Sequence, residues 1–150
     1  MEKTGEFKYP ELIDNKLTLL QSVVSFTDTY VNEFCHITQR VRDSDIVFVC
    51  YSTTDKDSFE QVNKHVNLLQ KVDEDKKRVL VLMANKCDLE EERVVSTGEG
   101  KQLARVYDCN FFETSSLTSV NIKEAFHSAI RESRRKRGEP VTKNKECVLF

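Results

Sequence analysis

Two stretches of this chain are apolar almost without a break. "DIVFVCYS" (45–52) and "VLVLMA" (79–84) lie between polar, charged flanks. Both are too short for a helix, and the first is rich in β-branched residues. Each therefore reads as a strand buried on both faces. "ELIDNKLTLLQSV" (11–23) places two apolar runs around Asp14-Asn15. Those residue types tolerate the left-handed backbone of a tight turn, so the segment reads as an antiparallel hairpin. Elsewhere the apolar positions recur at helical intervals. Tyr30, Phe34, Ile37 and Val41 share one face between Thr29 and Arg42. Phe59, Val62, Val66 and Leu69 form a second stripe, with Asp57 and Ser58 as capping candidates. Thr97 to Tyr107 reads as a third helix and "CNFFETSS" as a strand and loop. Asn121 is placed to cap a last helix with Ile122, Ala125, Phe126, Ala129 and Ile130 inside. Gly138 and Pro140 end that helix.

Strands alternating with helices after a hairpin predict an α/β domain with a mostly parallel sheet flanked by helices. It spans residues 1–137, and 138–150 reads as a flexible tail. Ligands of such sheets bind at the carboxyl ends of the strands. Two polar motifs fall there, Asn85-Lys86-Cys87-Asp88 and Glu113-Thr114-Ser115-Ser116.

Composition narrows the setting. The 150 residues form one core, and a net charge of -2 gives no overall pull toward nucleic acid. Locally, Arg131, Arg134, Arg135, Lys136, Arg137, Lys143 and Lys145 stand against only Glu132 and Glu139. Such a run points to an anionic partner, usually a membrane surface or nucleic acid. The five cysteines show no zinc spacing, and Cys50 reads as a small core residue. A reducing, intracellular setting is the expectation. His36, His65 and His127 are isolated and read as surface or packing residues.

The order of apolar strand, "NKCD", "ETSS", amphipathic helix, basic run and terminal "CVLF" resembles the Ras-like small GTPases. The stretch "NKCDLEEERVV" is most similar to the Ras and Rap branch. The order of elements carries the resemblance from Leu12 to Phe150, and the motifs are sharp from Val79 onward. A guanine-reading site is implied. The Asp88 carboxylate can accept two parallel hydrogen bonds from guanine, a donor pair that adenine lacks. Asn85 can tie the loop together and reach the ring, and the stem of Lys86 can lie across the base. By the resemblance, the backbone N–H groups of Ser115 and Ser116 would meet the guanine oxygen. The family pattern continues with Ala-Lys where this chain has Ser116-Leu117. Leu117 can cover the base with apolar surface but brings no ammonium.

GTP and GDP also need a phosphate cradle, G-x-x-x-x-G-K-[ST], in which glycines let several backbone N–H groups converge. Gly5, Gly98, Gly100 and Gly138 are the only glycines, and none stands in that pattern. In an ungapped register on "IVFVCYS", Met1 falls in a switch loop, and the first strand, phosphate loop and first helix lie upstream. The family's D-x-x-G falls on Val24-Ser25-Phe26-Thr27, and Asp28 stands where Ras proteins keep a water-orienting glutamine. Moving the aspartate match to Asp28 puts Val31 at the glycine. With neither cradle nor magnesium ligands, catalysis by this chain is not expected and Mg is an unlikely companion. The base alone, roughly a dozen heavy atoms at about 0.3 kcal/mol each, would be held at roughly millimolar affinity. An incomplete fold would also leave the 122–130 stripe partly exposed, with the hairpin closing up on "IVFVCYS" or leaving a gap.

"CVLF" fits the C-a-a-X prenylation box, with Cys147 as acceptor and Phe150 favouring geranylgeranyl. One lipid plus a basic run gives the two signals that stable anchoring needs. The expected location is the cytoplasmic face of the plasma membrane or an internal membrane. Three readings stay open. One is an active GTP switch. The second is a prenylated binding module that occupies Ras-family effectors, regulators or prenyl-binding chaperones. The third is an incomplete product with no function of its own.

Overall fold

In the computed structural model the two unbroken apolar runs become adjacent strands, β3 (Ile46–Ser52) and β4 (Val79–Asn85). They pair in parallel from Ile46↔Val79 to Ser52↔Asn85. The structure describes residues 5–13, 16–24, 41–72, 78–138 and 145–149. The other strands are β1 (Gly5–Ile13), β2 (Lys16–Val24), β5 (Asn110–Glu113) and β6 (Lys145–Leu149). The helices whose full extent lies in the described residues are α1 (Lys56–Val72), α2 (Thr97–Val106) and α3 (Ile122–Arg137). Together the strands form one six-stranded sheet in the order β1-β2-β6-β3-β4-β5. Among the described strands only the β1–β2 hairpin is antiparallel. This is the α/β architecture the alternation predicts.

The unbroken runs follow from a sheet covered on both faces. Successive side chains of a strand point to opposite sides, so both sets must be apolar. Val47, Val49 and Tyr51 of β3, with Leu82 and Ala84 of β4, pack against Val62, Val66 and Leu69 of α1 and Ala104 of α2. Ile46, Phe48, Val79, Val81 and Met83 pack on the other face against Ala125, Ala129 and Ile130 of α3. Of the α3 stripe, Ala125, Ala129 and Ile130 are wholly buried, while Ile122 and Phe126 are only half-buried, so the partial exposure expected from an incomplete fold is confined to those two residues. Ile13 from the hairpin joins the same cluster. Further ties hold the hairpin to α3. Glu11 Oε1 lies 3.1 Å from both Lys123 Nζ and His127 Nε2, and Arg134 Nη1 donates to Ile13 O at 3.1 Å. Lys123 and His127 hold the Glu11 carboxyl below its usual range. His127 is thus a link between elements rather than an isolated residue.

Three local expectations change. Helix α1 begins at Lys56, so Asp55 and not Asp57 stands at its start, accepting from Ser58 N at 3.2 Å. Asn121 occupies the position before α3 but makes no side-chain cap. Its Nδ2 donates instead to Glu113 O at 2.8 Å. Most consequentially, the segment read as a flexible tail contains β6. The hairpin neither closes on β3 nor leaves a gap, because residues 145–149 run between them, parallel to both. The physical reason is that Cys147-Val148-Leu149 is itself a short apolar, β-favouring run. The helix expected over 29–42 lies outside the described residues except for the helical 41–43. The Asp14-Asn15 turn, the 25–28 register, Val31 and His36 lie outside them as well.

Helix α2 is pinned at its start by a reciprocal capping box. Glu99 N donates to Ser96 Oγ at 3.2 Å and Ser96 N to Glu99 Oε2 at 2.8 Å. Lys56 Nζ of α1 reaches Glu99 Oε1 at 2.6 Å. Lys56 and the Ser96 donors hold the Glu99 carboxyl down to about 2. A depressed carboxyl contributes stability above its unfolded value of 4.5, and that contribution is lost as pH falls toward 2. One turn into the helix the backbone lies directly on the sheet. A Cβ on Gly100 would stand 2.4 Å from the Tyr51 hydroxyl and 2.6 Å from the Phe111 ring, whereas one on Gly98 would meet only Ser96 Oγ at 3.9 Å. Gly100→Ala is expected to destabilise the fold by about 1–3 kcal/mol through overpacking, despite alanine's better helix propensity. Gly98→Ala should be neutral or stabilising by up to about 1 kcal/mol. Urea unfolding of both variants checks this; equal tolerance would contradict the close approach.

Candidate functional site

Because β3, β4 and β5 are parallel, their carboxyl ends share one edge of the sheet. There the two polar motifs meet. The Asn85–Asp88 loop is bound to its neighbours largely through its backbone. Thr53 N donates to Asn85 O at 2.9 Å and Cys87 N to Thr114 O at 3.0 Å. Thr53 Oγ1 donates to Lys86 O at 3.1 Å. Lys86 has a φ of 64°, a left-handed conformation that costs a side-chain-bearing residue roughly 1–2 kcal/mol. Flanking bonds on both sides hold it there. Such enforced strain is characteristic of functional loops.

Asn85 joins the two motifs. Its Oδ1 accepts from Ser116 N and Ser116 Oγ, both at 3.1 Å. The second loop is also folded on itself, with Ser115 N donating to Val120 O at 3.1 Å and Thr118 N donating to Ser115 Oγ at 3.1 Å. Of the two N–H groups that the resemblance assigns to a guanine oxygen, Ser115's is committed to the loop. Ser116's is held by a side-chain oxygen that a base could displace. Asp88 and Lys86 are exposed, and the Asp88 carboxylate carries no hydrogen bond among the described residues. Leu117 is 83% exposed. The arrangement offers an unoccupied carboxylate, a long aliphatic stem and an open apolar side chain around a loop whose backbone is fixed.

A further linkage was not apparent from the sequence. Glu113 Oε1 accepts from Arg93 Nη1 at 2.8 Å and from Thr97 Oγ1 at 2.7 Å. Arg93 also reaches Glu90 Oε2 at 2.8 Å and Val95 O at 3.2 Å. It thereby connects the segment after the first motif to the start of the second. The Glu90–Arg93 spacing is visible in the chain, but the Arg93–Glu113 pair depends on the fold. Burial and the Glu113 and Asp88 carboxylates push the Cys87 thiol up. Burial alone pushes Cys50 up to about 12 and, as the largest cause, Cys109 up to about 11. These thiols are protonated and poor nucleophiles at neutral pH. Among the described residues, no group of three or more His, Cys, Asp or Glu is placed to hold a metal ion, and no helix is long and apolar enough to cross a membrane.

The helical part of the basic run, Arg134 to Arg137, lies at the opposite edge of the sheet, and these four residues have partners in the protein. Arg134 bonds to Ile13 O, Arg135 pairs with Glu132 at 2.9 Å, Lys136 Nζ donates to Arg78 O at 3.0 Å and Arg137 pairs with Asp45. Arg135, Lys136 and Arg137 are exposed but engaged.

A family model described as "Ras family" matches residues 23–135. Ras-like protein 2 of Mucor circinelloides f. lusitanicus is 40% identical over 106 residues, covering 71% of this chain and 54% of that protein. GTP-binding protein Rit2 of Mus musculus is 45% identical over 98 residues, covering 65% and 45%. Ras-like protein rasS of Dictyostelium discoideum is 37% identical over 117 residues, covering 69% and 60%. The chain thus spans about half the length of the curated relatives it matches.

If Arg93 couples the two motifs, Arg93→Met should cost about 1–3 kcal/mol by leaving the part-buried Glu113 carboxylate short of a donor. It should also move the amide resonances of both 85–88 and 113–116. Urea unfolding and amide NMR spectra check this. Changes confined to the neighbours of residue 93 would contradict the coupling.

Proposed function

This chain belongs to the Ras family, and from that premise we propose that its 150 residues form a guanine-base-recognising signalling module that does not cycle GTP by itself. One observation carries the reading. Asp88 presents an exposed carboxylate, free of hydrogen bonds among the described residues, on a loop cross-linked through Asn85 to Ser116. Two carboxylate oxygens can accept the paired donors of guanine. No G-x-x-x-x-G-K-[ST] occurs within the 150 residues, so nothing in them matches the cradle that retains phosphates or holds magnesium against them. GTP and GDP would bind weakly, through the base, and the module would act by occupying family effectors, regulators or prenyl-binding chaperones. A relative named as GTP-binding supports the alternative, that in a longer form carrying a phosphate loop the same base site serves a GTP switch.

The second element of the proposal is attachment to the cytoplasmic face of a membrane through Cys147. A geranylgeranyl chain contributes roughly 0.8 kcal/mol per buried methylene. The basic run adds less than the usual ~1 kcal/mol per residue near an anionic surface, because several of its members are engaged within the protein. Lipid is therefore the dominant signal.

The chain is expected to purify without stoichiometric nucleotide; denaturation followed by anion exchange of the supernatant checks this, and one equivalent of GDP or GTP would overturn it. Guanosine titrated by NMR should shift the 85–88 and 115–117 amides. Asp88→Asn should weaken that response roughly tenfold or more, since a hydrogen bond to a charged group contributes about 1.5–3 kcal/mol. Equal titrations in both proteins would remove the base-site assignment. Cys147→Ser should move the chain from the membrane to the soluble fraction of cells.

A further inference from the structure

The first three residues of the box that would carry the lipid also lie in a central strand of the sheet. Lys145 to Leu149 align with Leu20 to Val24 of β2, and Cys147, Val148 and Leu149 align on their other side with Ile46, Val47 and Phe48 of β3. These three residues therefore have a neighbouring strand on both edges. Helix α3 ends beside the slot, since Arg137 pairs with Asp45, the residue before β3. Seven residues, 138–144, separate the end of α3 from the start of β6. The slot accepts a short parallel apolar strand, and the sequence that fills it is Cys147-Val148-Leu149.

We infer that this slot is a docking site for the chain's own carboxyl terminus, and that docking and lipidation exclude each other. The inference rests on the lipidation reading of Cys147 above. Prenylation needs a polyprenyl diphosphate as co-reactant. The Cys147 sulfur forms a thioether bond to the isoprenoid carbon, the carbon–oxygen bond to diphosphate breaks, and the thiol proton passes to solvent. A transferase must hold the last residues in its own site to perform that step, which it cannot do while both edges of their backbone lie in ladders with β2 and β3. Only the fraction of molecules with the tail withdrawn can react, so the apparent rate falls by that fraction. Conversely, a lipidated tail drawn to a bilayer leaves the slot empty and exposes the facing backbone edges of β2 and β3, which are templates for another extended segment. The two states differ in membrane attachment and in an available strand-binding surface.

The test compares the full chain with the free octapeptide KNKECVLF. Cys147 modification is read on the carboxy-terminal peptide by mass spectrometry, once with iodoacetamide and once with a geranylgeranyl transferase and geranylgeranyl diphosphate. In the folded chain both reactions should run at least tenfold slower than in the peptide, corresponding to a docked population above roughly 90%. Glu146→Pro leaves the C-a-a-X box intact but removes a backbone donor and restricts the strand. It should accelerate both reactions toward the rate of the matching proline peptide and raise hydrogen exchange at residues 46–48. If the octapeptide accepts no isoprenoid, the lipidation reading fails and the exclusion fails with it. If the peptide is prenylated and the folded wild-type chain reacts equally fast, lipidation stands and the exclusion alone is overturned.

Discussion

A strand inside a parallel sheet carries two rows of backbone donors and acceptors, and both rows must be satisfied away from water. The rest of this structure depends on that requirement at β3. On one side β3 pairs with β4 along its full length, from Ile46↔Val79 to Ser52↔Asn85. On the other it pairs with three residues of β6, which bridges it to the hairpin. With β3 held on both sides, its alternate residues form the two cores, one beneath α1 and α2 and one beneath α3. The same pairing brings the carboxyl ends of β3, β4 and β5 to one edge, where the 85–88 and 113–116 loops sit. Hairpin, cores and site thus share a single backbone constraint.

The site itself is rigid because its cross-links come from several segments. Thr53 bonds across to the backbone at Asn85 and Lys86, Asn85 crosses to Ser116, Asn121 returns to Glu113, and Arg93 and Thr97 meet on the Glu113 carboxylate. The left-handed Lys86 is stable in this setting because the bonds on both sides determine its backbone. Asp88 stands outside the network and remains available. The division suits recognition, since a preorganised loop loses less freedom when a ligand arrives.

Much of this was legible in the chain. Unbroken apolar runs with polar flanks located β3 and β4, and helical stripes located the inner faces of α1 and α3, because burial imposes those periods directly. "NKCD" and "ETSS" could be placed at strand ends for the same reason. What remained hidden depends on contacts between distant residues. Nothing near Glu113 in sequence announces Arg93, and nothing near Asn121 shows that its side chain turns to Glu113 O rather than to its own helix. The tail was misread because its polar lead, residues 138–146, has the composition of a disordered segment, while three apolar residues suffice as a strand when a slot already supplies both neighbours. Composition describes the segment; the sheet supplies the reason for order.

The ladder at the centre of this sheet joins distant positions, since Ser22 aligns with Cys147, more than a hundred residues away. The β1–β2 hairpin, by contrast, closes between near neighbours, Ile13 with Lys16. The entropy of closing a long loop must be met before such a distant pairing is rewarded, so the central ladder is intrinsically slow to form. Until it forms, β2 and β3 each present an unpaired edge, and that interval is when a chaperone or a foreign strand would meet the chain.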